Sequence, residues 1–405
     1  MTDHRPEARP MRPQLVTTAN WYWGPGNRWA YRNMRRLFPT ACISRGNGLM
    51  TPLAIRTRHI DEIEFVDPVS KRKMTVREMY GATHTDAFLV LKDGEIAVEH
   101  YFNGMQPSDL HLLMSVSKSI AGSLTGLFVE RGVLDPEKLV TDYVPELIGT
   151  VYDGATVRHA LDMQISMEFD YDETSTTSDI HRMDESVGWV PRGPTAAKGV
   201  KEFLTTLTRK KSRHGEIYHY LTQQTNVLTW CLERATGQEY LELLQREIWQ
   251  KLGAEANGAL VLDGWQDGYT PAGLNFTLRD LGRFGQMMLQ NGIYNGRRIV
   301  PEEWIQDIRH GGSQAAWTKA VDNRARDRMV GFAKGSYRSY WYVADPACSR
   351  YMALGLAGQM MVIDPVANMV AVKFSSSPAH DDGEAAFITQ YQAIDAIIAA
   401  LSSRQ

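Results

Sequence analysis

The chain has 405 residues, 43% of them hydrophobic and 22% charged, with a formal net charge of -3. That is ordinary globular composition with material for a large core in two lobes or domains, and it excludes collagen-like and disordered classes. Near-neutral charge leaves no electrostatic footprint for nucleic acid, and the one basic run, Arg209-Lys210-Lys211-Ser212-Arg213, reads as a solvated loop.

The N-terminus, Met1 to Gln14, is polar, rich in Pro and Arg, and has no apolar core of a secretory leader. Residues 1–20 are expected to form a flexible tail. The aromatic cluster that follows, Trp21, Tyr22, Trp23 and Trp29, is expected to pack on a domain surface. Ala87–Leu91 and Ile96–Phe102 are expected strands joined by Lys92-Asp93-Gly94-Glu95, because Asp-Gly between apolar runs favours a tight hairpin.

Next comes Ser115-Val116-Ser117-Lys118, an S-x-x-K box. Ile120, Leu124, Leu127 and Phe128 then repeat on one helical face, and Gly132 and Pro136 stop the helix. Three residues along a helix brings Ser115 and Lys118 to one side. A serine hydroxyl attacks well only if a base takes its proton, and a lysine is such a base only when its own proton affinity is reduced. Ser115 at the helix N-terminus also meets free N–H groups that favour developing negative charge. The box therefore suits an acyl-transfer nucleophile. The same box at Ser70-Lys71-Arg72-Lys73 has no apolar helix behind it and reads as surface.

From Thr150 to about Gly292 the patterns are helical or loop. One stripe is Val227, Leu228, Cys231, Leu232 and Ala235; a second is Leu241, Leu244, Ile248 and Leu252; Thr277 and Asp280 cap a third helix through Leu281, Phe284 and Met288. Strand patterns return at Ser339–Ala344, Arg350–Leu354, Gln359–Ile363 and Met369–Phe374, and Glu384–Leu401 is an amphipathic helix. The expected fold class is α+β: an antiparallel sheet formed by both chain ends, flanking helices and an inserted helical lobe. The expected division is 21–160 with 293–405 as the α/β domain and 161–292 as a mostly helical lobe. The loops at 170–200 and 311–338 are long enough to line a site. No apolar run is expected to cross a bilayer. Cys42, Cys231 and Cys348 are far apart and odd in number, which fits a reducing compartment, so a cytoplasmic protein is expected.

Further along, Gly215-Glu216-Ile217-Tyr218-His219-Tyr220 precedes the Val227 helix. With His111-Leu112-Leu113-Met114-Ser115-Val116-Ser117-Lys118-Ser119, Asp142-Tyr143-Val144-Pro145-Glu146-Leu147 and Leu161-Asp162-Met163-Gln164-Ile165-Ser166, it makes a resemblance plain. The chain resembles the serine β-lactamase and penicillin-binding-protein superfamily, in its 6-aminohexanoate-dimer hydrolase and family VIII carboxylesterase branch, from about Asn27 to the C-terminal helix. The resemblance implies a β-lactamase/transpeptidase-like fold. It implies catalytic Ser115 and Lys118, and Tyr220 as the tyrosine that carries protons between serine, lysine and leaving group. A phenol beside an ammonium would have a reduced proton affinity suited to that task. Leu356-Ala357-Gly358-Gln359 matches the strand edge opposite the serine, where Gly358 lets the strand approach the substrate and the backbone N–H groups of Gln359 and Ser115 form the oxyanion hole.

Three departures bear on substrate. Leu356 replaces the lysine that anchors a carboxylate in β-lactamases. Ala357 stands where related amide hydrolases carry histidine. Glu173 occupies the position of the family's loop tyrosine, with Tyr171 two residues earlier. Asp184 falls where an acidic residue tunes oligomer binding. Tyr171, Glu173, Asp184, Ala357 and Gly358 are thus the expected substrate-binding residues. Because an ester leaving group needs less help with a proton than an amine, a carboxylesterase-like activity on a small ester is the favoured expectation. A linear amide hydrolase or transacylase is the alternative, and a β-lactamase-fold protein that binds without turnover is a further one. Retention of Ser115, Lys118 and Tyr220 together favours an enzyme. Neither a cofactor nor a metal is expected, since no zinc, Walker or Rossmann motif occurs. The expected partner is a small ester or amide, with no nucleic acid or membrane; a homodimer is an admissible assembly.

Overall fold

The computed structural model describes residues 15–172, 174–320, 327, 332–344 and 349–402, without the side chains of residues 380–384. Most of the expected tail, Glu173 and Cys348 lie outside the described residues.

A seven-stranded antiparallel sheet organises the chain. Its strands are β1 (Thr85–Lys92), β2 (Glu95–Tyr101), β3 (Ser336–Arg338), β4 (Trp341–Val343), β5 (Tyr351–Gly355), β6 (Gln359–Asp364) and β7 (Met369–Ser375), in the spatial order β3-β4-β5-β6-β7-β1-β2. The β7–β1 pairing, with Ala371 opposite Val90, joins the two ends of the chain. The β1–β2 turn is the expected hairpin, with Asp93 at φ 55° and Gly94 at φ 82°.

β1, β6 and β7 read as continuous apolar runs because helices cover both faces. On one face lie α1 (Val116–Glu130), which packs on β5 and β6, and α3 (Leu278–Leu289), which packs on β6, β7 and β1. The long C-terminal helix α4 (His380–Ser402) packs along the Leu356–Gly358 turn and the short strand Glu64–Val66. Contrary to the sequence expectation, its Ala385–Ser402 stretch is long and apolar enough to cross a bilayer by length and composition. Here that apolar surface faces inward: Tyr391, Ile394 and Ile397 are buried in the core. α2 (Gln223–Thr236) packs on α1 from the other side and buries Cys231.

Two parts of the architecture departed from the sequence reading. Gly258–Val261 and Leu274–Phe276, in a stretch read as helix and loop, are strands; with Thr40–Ile43 and His111–Leu112 they make a second sheet of four. These segments are two to four residues long and too short to display a period. Ser339 and Tyr340, read as the start of a strand, are instead a turn with both φ positive (49° and 67°) between β3 and β4. The tip of that hairpin rests on α1. Ser119 Oγ donates to Tyr340 O at 2.6 Å, and a Cβ on Gly122 would stand 2.2 Å from Ser339 O, so glycine is what allows the contact.

The N-terminal aromatics pack as expected. Trp21 is buried, donates from Nε1 to Trp189 O at 2.9 Å, and sits edge-on to Trp189 at 4.9 Å; Trp189 in turn meets Tyr269 at 4.6 Å. This chain of rings ties the segment around Trp21 to the end of the helix Asp179–Val187 and to the loop after Val261.

Candidate active site

Ser115 lies where the strand His111–Leu112 turns into α1. The turn is made at Met114, a buried residue held at φ 48°, a conformation that costs a non-glycine residue about 1–2 kcal/mol. Ser115 is the N-cap of α1, yet its side chain makes no cap bond. Its Oγ instead accepts a 2.7 Å hydrogen bond from Lys118 Nζ. Ser117 is excluded as a rival: it is fully buried and its Oγ accepts from Leu274 N at 3.3 Å.

Lys118 is fully buried, and no carboxylate pairs with it among the described residues. Its other hydrogen-bond partner is Pro271 O at 3.2 Å. Burial in these surroundings disfavours the ammonium and pulls its pKa from 10.5 to about 7. At neutral pH about half the molecules therefore hold a free amine in contact with Ser115.

Tyr220 stands over this pair, with Lys118 Nζ 5.2 Å from its ring centroid. The expectation of a reduced phenol proton affinity is reversed. Burial raises it well above 10, the neighbouring Tyr342 adds to the rise, and only a hydrogen bond to Ser115 opposes it. Burial favours the uncharged form of both groups, so at neutral pH a neutral phenol stands beside a lysine that is neutral in about half the molecules.

The turn Leu356–Gly358 closes the opposite side. Gly355, at the end of β5, lies so near the nucleophile that a Cβ there would be 3.1 Å from Ser115 N and 2.6 Å from Leu113 O. Sequence comparison singled out Gly358, whereas Gly355 makes the close approach to Ser115. Gly358, at φ 94°, serves the turn itself and packs on Ser375. Ala357 is also left-handed, at φ 59°, and fully buried, so its methyl packs in the core instead of facing a ligand. Gln359 locks the turn through its side chain: Nε2 donates to Ser375 O at 2.6 Å and Oε1 accepts from Ser375 N at 3.0 Å.

Tyr171 is 40% exposed, tilted against Phe169 with ring centroids 4.9 Å apart, and close enough to Tyr220 and Tyr269 to influence both electrostatically. Asp184 is half-buried on the helix Asp179–Val187 and acts on Tyr269 in the same way. Tyr171 and Asp184 therefore face one region beside Tyr220. Sequence reasoning missed Pro271, Tyr269 and the tyrosines Tyr337 and Tyr342, which β3 and β4 bring against Tyr218 and Tyr220. Adjacent opposite positions on two strands are a pairing only the hairpin creates.

Among the described residues no histidine hydrogen-bonds Ser115. His111, four residues before it, is buried with Nδ1 on Leu112 O at 2.9 Å and Nε2 on Asp86 at 3.5 Å, stacked on Phe374. Among the described residues no cluster of His, Cys, Asp and Glu could hold a metal ion.

The Beta-lactamase family profile matches residues 72–393. A 6-aminohexanoate-dimer hydrolase from Paenarthrobacter ureafaciens is 37% identical over 365 residues, 90% of this chain and 89% of that protein. A solved structure from Bacillus anthracis, provisionally named a 6-aminohexanoate-dimer hydrolase, superposes with a TM-score of 0.83 at 27% identity, covering 96% of this chain and 98% of the other. EstCE1, described as a hydrolase with promiscuous acyltransferase activity, shares the fold with a TM-score of 0.59 at 14% identity, covering 77% of this chain and 93% of that one. The geometry around Ser115 and the length of chain matched lead to one assignment: this protein belongs to the beta-lactamase family and is a serine hydrolase.

Proposed function

We propose that the protein hydrolyses short linear amides through an acyl-enzyme on Ser115. Lys118, neutral in a large fraction of molecules at pH 7, takes the Oγ proton as Ser115 attacks the carbonyl carbon. The oxyanion is met by the N–H groups of Ser115 and Gln359. When the C–N bond breaks, the leaving nitrogen takes the Tyr220 hydroxyl proton, and the Lys118 ammonium returns one to Tyr220. Water then attacks the ester, its proton passing to Lys118, and Ser115 leaves with a proton restored.

The observation that carries the reading is the Lys118 Nζ to Ser115 Oγ contact of 2.7 Å in a buried site that pulls the lysine pKa down to about 7. The choice of amide over the ester first favoured is supported by the 37% identical 6-aminohexanoate-dimer hydrolase. It is also supported by a phenol that stays protonated, since an amine leaving group needs a donor more than an alkoxide does. Tyr171, beside Tyr220 and Tyr269, borders the leaving-group side and offsets the tyrosine absent at position 173. Asp184 on the same side offers a carboxylate to a substrate ammonium.

The test is steady-state kcat/KM on 6-aminohexanoate dimer, a p-nitrophenyl ester and a chromogenic cephalosporin, with fluorophosphonate labelling mapped by peptide analysis. Turnover of the dimer and label on Ser115 are expected. Efficient ester hydrolysis with no linear amide turned over would return the assignment to a carboxylesterase; label on another serine would remove the mechanism.

A further inference from the structure

The aromatic wall beside Tyr220 contains a hydroxyl that accepts from within the protein and whose own hydrogen is not committed. Tyr342, on β4, is half-buried, with its ring 6.3 Å from that of Tyr220 at an interplanar angle of 25°. Its cross-strand partner Tyr337 holds it edge-on at 4.7 Å. Tyr218, fixed in turn against Trp317 at 5.0 Å, donates its hydroxyl to Tyr342 at 3.4 Å. That bond occupies the Tyr342 oxygen as an acceptor. The Tyr342 hydrogen has no acceptor among the described residues.

We propose that Tyr342 is a substrate-contacting residue whose hydroxyl donates a hydrogen bond to the polar group on the leaving side of the scissile bond. The inference rests on the reading that Ser115 attacks and Tyr220 protonates the leaving group. The argument is one of satisfaction. A half-buried hydroxyl that lacks a protein acceptor gives its hydrogen to whatever occupies the adjoining space, water when the site is empty and a polar group of the substrate when it is filled. Here the oxygen accepts from Tyr218, and the hydrogen has no acceptor among the described residues, on a ring that lies beside that of Tyr220. A bond received from Tyr218 also polarises the Tyr342 O–H and strengthens it as a donor. Burial keeps this phenol protonated, at about 12, so it remains a donor across the working pH range and is not a base. No covalent step passes through it; the proton that reaches the leaving nitrogen still comes from Tyr220. Tyr218 is a positioning residue in this scheme, acting only through Tyr342.

The substrate class follows. A linear amide carries a leaving amine whose lone pair appears as the C–N bond opens, and a nearby donor is of use to it. The p-nitrophenoxide of an activated ester is stable as it departs and gains less. The ratio of kcat/KM for a linear amide to kcat/KM for a p-nitrophenyl ester therefore measures the contact.

The experiment compares the wild type with Tyr342→Phe, Tyr218→Phe and the double variant, each checked by thermal melting, on 6-aminohexanoate dimer and p-nitrophenyl acetate. Tyr342→Phe is expected to lower the amide-to-ester ratio about tenfold, the effect of one hydrogen bond. Tyr218→Phe is expected to lower it a few-fold, and the double variant no further than Tyr342→Phe alone. An unchanged ratio in Tyr342→Phe, or equal loss on both substrates, overturns the proposal. So does additivity of the two changes, which would make Tyr218 independent of Tyr342. Tyr220→Phe run in parallel separates the two readings: if it keeps full amide turnover, the mechanism fails, whatever Tyr342 does.

Discussion

Replacing Lys118 by methionine should destroy activity and at the same time stabilise the protein in acid. Lys118 has no exposed surface and its pKa is pulled to about 7 by burial. In the unfolded chain the same amine titrates near 10.5. The unfolded state therefore binds a proton between pH 7 and 10.5 that the folded state does not. Folding stability from this group rises with pH across that window, and below pH 7 the penalty is present in full. Its size is on the order of 5 kcal/mol. Methionine has a similar shape and no charge to desolvate, but it leaves Pro271 O without its partner at a cost of about 1–2 kcal/mol. The net expectation is that Lys118→Met is more stable by roughly 2–4 kcal/mol at pH 6, with the advantage fading to nothing or reversing by pH 10. Lys373 is buried and similarly shifted, but it is common to both proteins and cancels in the difference. Urea unfolding followed by tryptophan fluorescence at pH 6, 8 and 9.5 measures it, and kcat at each pH should be down a hundredfold or more. A stability difference that does not change between pH 6 and 9.5 would mean that Lys118 stays charged inside the fold, and the base assignment would fall.

Wild-type kcat/KM on an uncharged amide should rise with pH through about 7, because only unprotonated Lys118 accepts the serine proton; a profile flat from pH 6 to 8.5 contradicts this. Gly355→Ala should cut kcat at least tenfold and lower Tm, since the added methyl would stand 2.6 Å from Leu113 O and 3.1 Å from Ser115 N and force the backbone beside Ser115 to move; full activity would detach Gly355 from the site. Gly122→Val should lower both Tm and kcat by displacing the Ser339–Tyr340 turn and with it Tyr337 and Tyr342. A loss of Tm with kcat untouched would show that the hairpin does not shape the site.

What the sequence made legible was what local pattern encodes. The Asp93-Gly94 turn needs positive φ at both residues, and that residue pair announces it. The S-x-x-K box announces itself because three residues of helix suffice to bring Ser115 and Lys118 together. The helices that flank the sheet show their apolar faces. By contrast, Ser339-Tyr340 is a positive-φ turn built from residues that do not favour one; the contact with α1 through Gly122 holds it there, and no local signal reports that contact. Pro271 became a lysine partner through a loop 153 positions away in sequence. Gly355 drew no attention because its role lies in what stands opposite it.

The phenol shows the limit of motif reasoning most directly. From sequence, Tyr220 beside a lysine implies an ammonium and a phenol made more acidic by it. That inference assumes the charge exists. The fold weakens it: a lysine without a paired carboxylate among the described residues, held against a carbonyl and a serine hydroxyl, loses its proton readily, and burial raises the proton affinity of the tyrosine beyond what the remaining charge offsets. In the proposed mechanism Tyr220 then enters as an acid, not as a base. An acid is what a departing amine requires, so the burial that raises the phenol's proton affinity is an argument for the proposed amide substrate over an ester.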